Sequence, residues 1–129
     1  MSKDGFRTKN TTKGNPPRLP FTDLKNKILG KNYTLSLVFV SNQKSKILNK
    51  TYRNKNAPAN VLSFPLEKTF GEIFIDLQEA KKESSKFNLS YKNFVALLFI
   101  HALLHLKGLR HGSTMEQREK EVMRDFNLL

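Results

Sequence analysis

The sequence contains no cysteine, and this absence removes two classes of site. Disulfides and thiolate metal sites are impossible, and nothing argues for secretion, so any metal must be held by His, Asp or Glu. Long apolar runs are also missing. The longest covers residues 94–100, whereas a membrane-spanning helix needs about 20 apolar residues. Residues 1–6 lack the apolar core of a signal peptide, and we therefore expect a cytoplasmic protein.

Acidic residues are scarce, since the chain has 11 Asp and Glu but 23 Lys and Arg, which gives a net charge of +12. The excess is uneven, because residues 1–60 carry 13 of the bases but only 2 of the acids. A strongly basic chain favours polyanionic partners such as nucleic acid or an acidic membrane surface. The concentration of charge in one half of the chain favours nucleic acid among these.

The length of 129 residues suits one domain. Residues 1–20 are basic and rich in Gly, Pro and Asn, which predicts a mostly irregular arm and leaves room for a short strand near Phe6. Residues 21–129 are predicted to form a single domain of the α+β class. Strands are expected at residues 34–40, 60–66 and 72–77, where β-branched and apolar residues dominate.

Helices are predicted between and after these strands from capping residues and apolar spacing. The first covers residues 21–29, the third runs to about residue 87, and the last runs to about residue 126. The second has Ile47, Leu48, Thr51 and Tyr52 on one face. The expected N-terminal caps are Thr22, Ser41, and the pairs Asp76 with Glu79 and Ser113 with Glu116. Residues 91–107 are apolar around nearly the whole circumference, which predicts a buried central helix ending at Gly108.

All three histidines of the chain lie in residues 101–111. His101 and His105 are four apart on the central helix, so both imidazoles can reach one ion. Gly108 ends that helix and can let His111 return over the same face. A lone histidine in an apolar helix is usually a hydrogen-bonded core residue, but three across a glycine break are not explained that way. Three imidazoles with an open fourth position are typical of catalytic zinc, although nickel, cobalt, copper or iron would also suit them.

The spacing matches the metzincin protease pattern H-E-x-x-H-x-x-G-x-x-H. The glutamate that would activate water in a peptidase is Ala102 in this chain. The sequence therefore keeps the ligand spacing and lacks the general base of zinc peptidases.

The sequence resembles the YbeY family of bacterial endoribonucleases, whose motif reads H-G-x-L-H-L-x-G-x-D-H. A first block of matching residues is His101, Leu104, His105, Leu106, Gly108 and His111. A second block is Leu48, Asn49, Tyr52, Arg53, Lys55, Pro58, the run at residues 60–65, Gly71, Glu72, Ile73 and Ile75. The chain departs from the family at Ala102 for glycine, Ala59 for threonine and Arg110 for aspartate.

The resemblance implies a zincin-like fold with a small mixed sheet of about four strands and a central helix that carries two metal ligands. It also implies cleavage of single-stranded RNA in 3′-end maturation of small-subunit rRNA and in ribosome quality control. The cofactor would be one divalent ion, zinc in the first instance, with the small ribosomal subunit as partner. The ion would activate a water or a 2′-hydroxyl to attack a phosphodiester.

Four basic residues are candidates for contact with RNA. Arg53 matches the arginine of the family and can hold a phosphate in a bidentate fork, so we expect it to stabilise the phosphoryl transition state. Lys50 and Lys55 would attract phosphate without specificity. Arg110 could grip phosphate or favour ionised water at the metal. Two rival functions stay open: a non-catalytic, metal-binding ribosome-assembly factor, which Arg110 supports, and a zinc peptidase, which Ala102 disfavours.

Overall fold

A computed structural model describes residues 5–128 and places a four-stranded sheet against five α-helices. The strands are β1 (Phe6–Asn10), β2 (Thr34–Val40), β3 (Val61–Glu67) and β4 (Phe70–Asp76). The helices are α1 (Phe21–Leu29), α2 (Asn42–Arg53), α3 (Leu77–Glu83), α4 (Tyr91–Lys107) and α5 (Ser113–Asp125), and a 3-10 helix (Ser84–Phe87) follows α3. The predicted α+β class with a small mixed sheet is confirmed.

The strand order is β1-β2-β4-β3, and β3 alone runs antiparallel to its neighbour. The short strand that the sequence allowed near Phe6 is present as β1. It pairs in parallel with β2, with Phe6 opposite Leu35. The expected irregular arm therefore contributes an edge strand, while residues 11–20 form no helix or strand. Residues 1–4 of that arm, and residue 129, lie outside the described part.

Helix α4 forms the centre of the core, as its apolar circumference predicts. Many of its side chains are fully buried, and Phe94, Phe99 and Leu103 are at most 1% exposed. The helix begins where the Ser90 hydroxyl accepts a hydrogen bond from the Asn93 amide. It ends at Gly108, whose φ of 109° lies in the left-handed region that favours glycine. Because α4 packs against β3 and β4, its C-terminal half is fixed beside the edge of the sheet.

Two of the predicted helix caps are confirmed and two are wrong. Ser41 and Asp76 accept hydrogen bonds from the amides of Lys44 and Glu79. Helix α1 begins at Phe21 behind Pro20, so Thr22 already lies inside its first turn and caps nothing. Helix α5 has Gly112 at its N-cap, and the left-handed turn there, with a φ of 151°, leaves Ser113 inside the helix.

The face that α2 buries differs from its most apolar face. Ser45, Leu48 and Asn49 are buried, whereas Ile47 and Tyr52 are 51% and 65% exposed. Hydrogen bonds explain the rotation, since the Ser45 hydroxyl donates to the buried Asp76 carboxylate and the Asn49 amide donates to the Ala57 carbonyl. Buried polar groups need such partners, and α2 turns to supply them.

No single helix within residues 5–128 is long and apolar enough to cross a membrane. Only the segments Leu77–Phe87 and Tyr91–Lys107 together pass that test of length and composition, and they are bent by 104° relative to each other.

Candidate metal centre

The three histidines come together at the C-terminal end of α4. His101 and His105 project from successive turns, and the chain reverses through Gly108 to return His111 to them. One ligand atom from each ring lies within 4.8 Å of those of the other two, and the ring centroids are 4.6 to 4.9 Å apart. Three zinc–nitrogen bonds of about 2.0–2.1 Å would place the nitrogens roughly 3.3 Å apart in a tetrahedron, so a small closure suffices to hold an ion.

Hydrogen bonds at Nδ1 orient the rings of the two helical histidines. The Nδ1 atom of His101 lies 2.5 Å from the Glu119 carboxylate, and Nδ1 of His105 lies 3.2 Å from the Leu109 carbonyl. Both partners are acceptors, so both Nδ1 atoms carry the proton. In the neutral rings the two Nε2 atoms are then the available ligand atoms, and they lie 3.1 Å apart. This separation is close to the distance expected between two nitrogens that bind one ion.

Glu119 is the functional residue that the sequence analysis missed. It projects from α5, and its side chain is 13% exposed. A carboxylate that accepts the second ring proton of a metal-ligating histidine orients the ring and raises its basicity. The spacing contained a signal for it, because Glu119 falls between Met115 and Val122, which are buried on the same face of α5. An acidic residue on a buried helical face needs a partner.

The surroundings of His105 favour its neutral form. Burial is the main cause that lowers its pKa from 6.5, and the positive charges of His101, His111 and Arg53 lower it further. The hydrogen bond to Leu109 acts in the opposite direction. Neutral imidazole is the form that binds metal, so the folded chain prepares this ligand at neutral pH.

The histidines open into a cavity of about 410 Å³ between β3, α4 and α5. Its walls combine polar groups from β3 with apolar side chains of α4, and Phe87 and Met115 close two of its sides. Arg53 also lines this cavity, although it precedes the first histidine by 48 positions. Arg53 and the three histidines therefore line the same cavity.

Arg53 is anchored at the edge strand. Its Nη2 atom donates to the Ser63 carbonyl over 3.3 Å, and its guanidinium carbon lies 5.9 Å from the centroid of the Phe64 ring. These contacts use one of the five N–H donors of the guanidinium, so the others can serve a ligand. The positive charge of Arg53 also helps to lower the pKa of His105, which agrees with this placement.

The other basic candidates are not gathered in the same cavity. Lys55 lies on an adjoining hollow of about 350 Å³ that Arg53 also borders. Lys50 hydrogen-bonds to Asn54 one turn further along α2, over 3.4 Å. Arg110 is exposed and does not line the cavity, although it directly precedes His111. Their roles as RNA contacts stay predictions.

Comparison with known proteins gives a consistent result. A family model described as Endoribonuclease YbeY matches residues 19–127. The Endoribonuclease YbeY of Alkaliphilus oremlandii is 35% identical over 113 residues, which cover 76% of this chain and 75% of that protein. The protein of the same name from Campylobacter jejuni is 36% identical over 102 residues, covering 73% and 76%. The solution structure of TM1509 from Thermotoga maritima superimposes with a TM-score of 0.65 at 23% identity, covering 95% of this chain and 91% of that one.

Proposed function

Because the chain belongs to the family of endoribonuclease YbeY, we propose that it is a metal-dependent endoribonuclease that cleaves single-stranded RNA. Its metal ligands would be His101, His105 and His111. The observation that carries the proposal is the cluster of three histidines, with two Nε2 atoms 3.1 Å apart, in a cavity also lined by Arg53. A metal site beside a fixed guanidinium suits the hydrolysis of an anionic phosphodiester.

The three-histidine cluster can hold a metal ion, and zinc is our choice among the candidates. Three imidazoles leave a fourth position open, as in catalytic rather than structural zinc sites. When bound, the ion would supply Lewis acidity and a water whose pKa falls to about 7. Within the chain, Glu119 holds the proton on Nδ1 of His101 and thereby keeps Nε2 available as a ligand.

Arg53 would bind and orient the scissile phosphate. Its anchorage to Ser63 and Phe64 limits the freedom of the guanidinium, and a preorganised charge stabilises a transition state better than a mobile one. The planar fork can bond two phosphoryl oxygens at once. Lys50 and Lys55, both on the basic first half of the chain, would add attraction for the neighbouring phosphates.

The fold of the site does not favour either rival function. Ala102 lines the cavity where a zinc peptidase would carry its glutamate, so the general base is missing from that wall. The argument for a non-catalytic assembly factor was that Arg110 replaces an aspartate, but Arg110 lies outside the cavity wall. Action on small-subunit rRNA, association with the ribosome and a cytoplasmic location stay predictions within this proposal.

The first experiment measures metal content and RNA cleavage together. The purified protein should contain one ion per chain by elemental analysis and should cleave a single-stranded RNA. A chelator should abolish cleavage, and added zinc should restore it. His101→Ala, His105→Ala and His111→Ala should lose both metal and activity. Metal retained at full stoichiometry in His105→Ala would show that the ligand assignment is wrong.

Arg53 allows chemistry to be separated from metal binding. Arg53→Ala should keep the metal and the thermal midpoint, because the side chain is exposed at the cavity rim, while single-turnover cleavage falls by roughly 10²–10³-fold. Arg53→Lys should recover part of the loss, since a point charge cannot replace the fork. Arg118→Ala is the matched control, because Arg118 pairs with Glu121 at 3.0 Å and does not line the cavity. Wild-type cleavage by Arg53→Ala would remove Arg53 from the active site.

A further inference from the structure

Tyr52 lies in an unusual environment for an aromatic residue. Its side chain is 65% exposed, the largest value among the exposed large hydrophobic residues of the described chain. Its ring is not isolated, because its centroid lies 5.2 Å from that of Phe64, which lies 5.9 Å from that of Phe74. The three rings, Tyr52, Phe64 and Phe74, form a row from α2 across β3 to β4, which we call the aromatic shelf. Tyr52 is its exposed end.

The aromatic shelf and the metal cavity share a boundary at Arg53. This residue follows Tyr52 directly in α2, and its guanidinium lies 5.9 Å from the ring of Phe64 while also lining the cavity. It is further fixed by the carbonyl of Ser63, which precedes Phe64 in the edge strand. A strand of RNA with one phosphate at Arg53 would therefore have the shelf beside it.

We propose that the aromatic shelf is a stacking subsite for one nucleobase of single-stranded RNA, next to the phosphate held by Arg53. The subsite rests on the proposed function, since it takes the same substrate. Stacking on exposed aromatic side chains is how proteins commonly bind single strands, and it tolerates any sequence because every base has a π-face. Lys50 lies on α2 and Lys55 on the loop after it. Their positive charges, close to Tyr52 in the sequence, would attract the phosphates of the RNA strand.

Paired RNA would not fit this arrangement, because its bases are already stacked within the duplex and their faces are covered. The shelf therefore contributes to discrimination in favour of single strands. It does so without reading the base edge, so it predicts little preference among the four bases.

The test compares three variants in single-turnover cleavage at increasing protein concentration. Tyr52→Leu should raise the half-saturating concentration by about 5- to 150-fold, the range that corresponds to losing one base–aromatic stack. The maximal rate should stay near that of the wild type, in contrast to Arg53→Ala. Tyr52→Phe should behave as the wild type, because the ring and not the hydroxyl stacks. Ile47→Ala is the control, since Ile47 is 51% exposed on the same helix and lies outside the shelf.

Abasic substrates distinguish stacking from a general structural role. An oligoribonucleotide in which single bases are removed in turn should show one position at which the wild type binds as weakly as Tyr52→Leu. At that position the variant should have no further effect. If Tyr52→Leu acted by distorting Arg53 or the metal site, every abasic substrate would still respond to it, and metal content or the thermal midpoint would change.

Intrinsic fluorescence reports contact directly, because the chain has no tryptophan and three tyrosines. Tyr33 is buried and Tyr91 is half-buried, so Tyr52 is the most exposed tyrosine and the one best placed to meet a base. RNA should quench tyrosine emission in the wild type, and Tyr52→Phe should remove most of the quenched signal while keeping the affinity. Unchanged half-saturation in Tyr52→Leu, with the wild type active, would overturn the subsite and leave the nuclease function standing. A wild type that neither binds nor cleaves RNA would overturn both.

Discussion

Removing the carboxylate of Glu119 should weaken metal binding without unfolding the protein. Glu119 accepts the Nδ1 proton of His101 over 2.5 Å from a side chain that is 13% exposed. Its replacement by Ala leaves that proton without its carboxylate partner and frees the ring to rotate away from His105. Glu119→Gln is a smaller change, because an amide oxygen can still accept the hydrogen bond from Nδ1 of His101 but carries no negative charge.

The size of the effect follows from the position of the contact. Loss of an outer partner of a metal-ligating histidine typically costs 10–100-fold in metal affinity, which is about 1.4–2.7 kcal/mol. The low exposure of Glu119 places Glu119→Ala in the upper part of that range. Glu119→Gln should fall in the lower part, since the orientation of the ring survives and only the electrostatic contribution is lost.

Competition with a fluorescent zinc chelator measures these affinities. Glu121→Gln is the matched control, because it removes the same charge from the same helix at a side chain that is 56% exposed and pairs with Arg118. Its zinc affinity should equal that of the wild type. Equal affinity of Glu119→Ala and the wild type, with both proteins folded, would refute the reasoning that the carboxylate prepares His101 for the ion.

Three further predictions concern charge, pH and stability. RNA affinity should fall steeply as the salt concentration rises. Charge reversal at Lys44, Lys46 and Lys50 of α2 should make the slope of log K against log salt shallower. A flat plot for the wild type would contradict this prediction. The stability of the metal-free protein, prepared with a chelator, should fall as the pH drops below about 6.5. The pKa of His105 is lowered in the folded state, so below that pH the unfolded chain binds more protons than the folded chain. Thermal melts between pH 7.5 and 5 would test this prediction. Asp76→Ala should lower the free energy of unfolding by about 2–4 kcal/mol, since it removes the acceptor of hydrogen bonds from Asn42, Ser45 and the Glu79 amide. Urea denaturation measures that loss, and a loss no larger than that in an exposed control such as Asp125→Ala would contradict the prediction.

The sequence predicted the elements well where local patterns decide them. Helix α4 begins and ends where its apolar pattern, Ser90 and Gly108 indicate, because capping groups and a left-handed glycine act within a few residues. The caps expected at Thr22 and Ser113 are wrong because the helix begins at a different residue from the one that the sequence pattern indicated. In each of these helices the N-cap position is taken by another residue, Pro20 or Gly112. The threonine or serine therefore lies inside the first turn and has no capping role.

The metal cluster was predictable because its ligands lie within eleven residues of one another, whereas its support is distant in sequence. His101 and Glu119 are separated by 18 positions and belong to different helices. Only the packing of α5 against α4 decides that Glu119 faces His101 rather than solvent. Helical spacing puts Glu119 on the same face of α5 as Met115 and Val122, but spacing alone does not identify its partner.

Tyr52 shows how burial can depart from hydrophobic pattern for a reason that bears on function. Apolar spacing groups Tyr52 with Ile47 and Leu48, yet Ser45 and Asn49 are the residues that join Leu48 inside. The buried carboxylate of Asp76 draws Ser45 inward and so rotates α2 about its axis. The same rotation leaves Tyr52 exposed on Phe64 and turns Arg53 toward the cavity. One hydrogen bond at the far end of α2 therefore helps to place both groups that would hold the substrate, so Asp76→Ala should disturb RNA binding as well as stability.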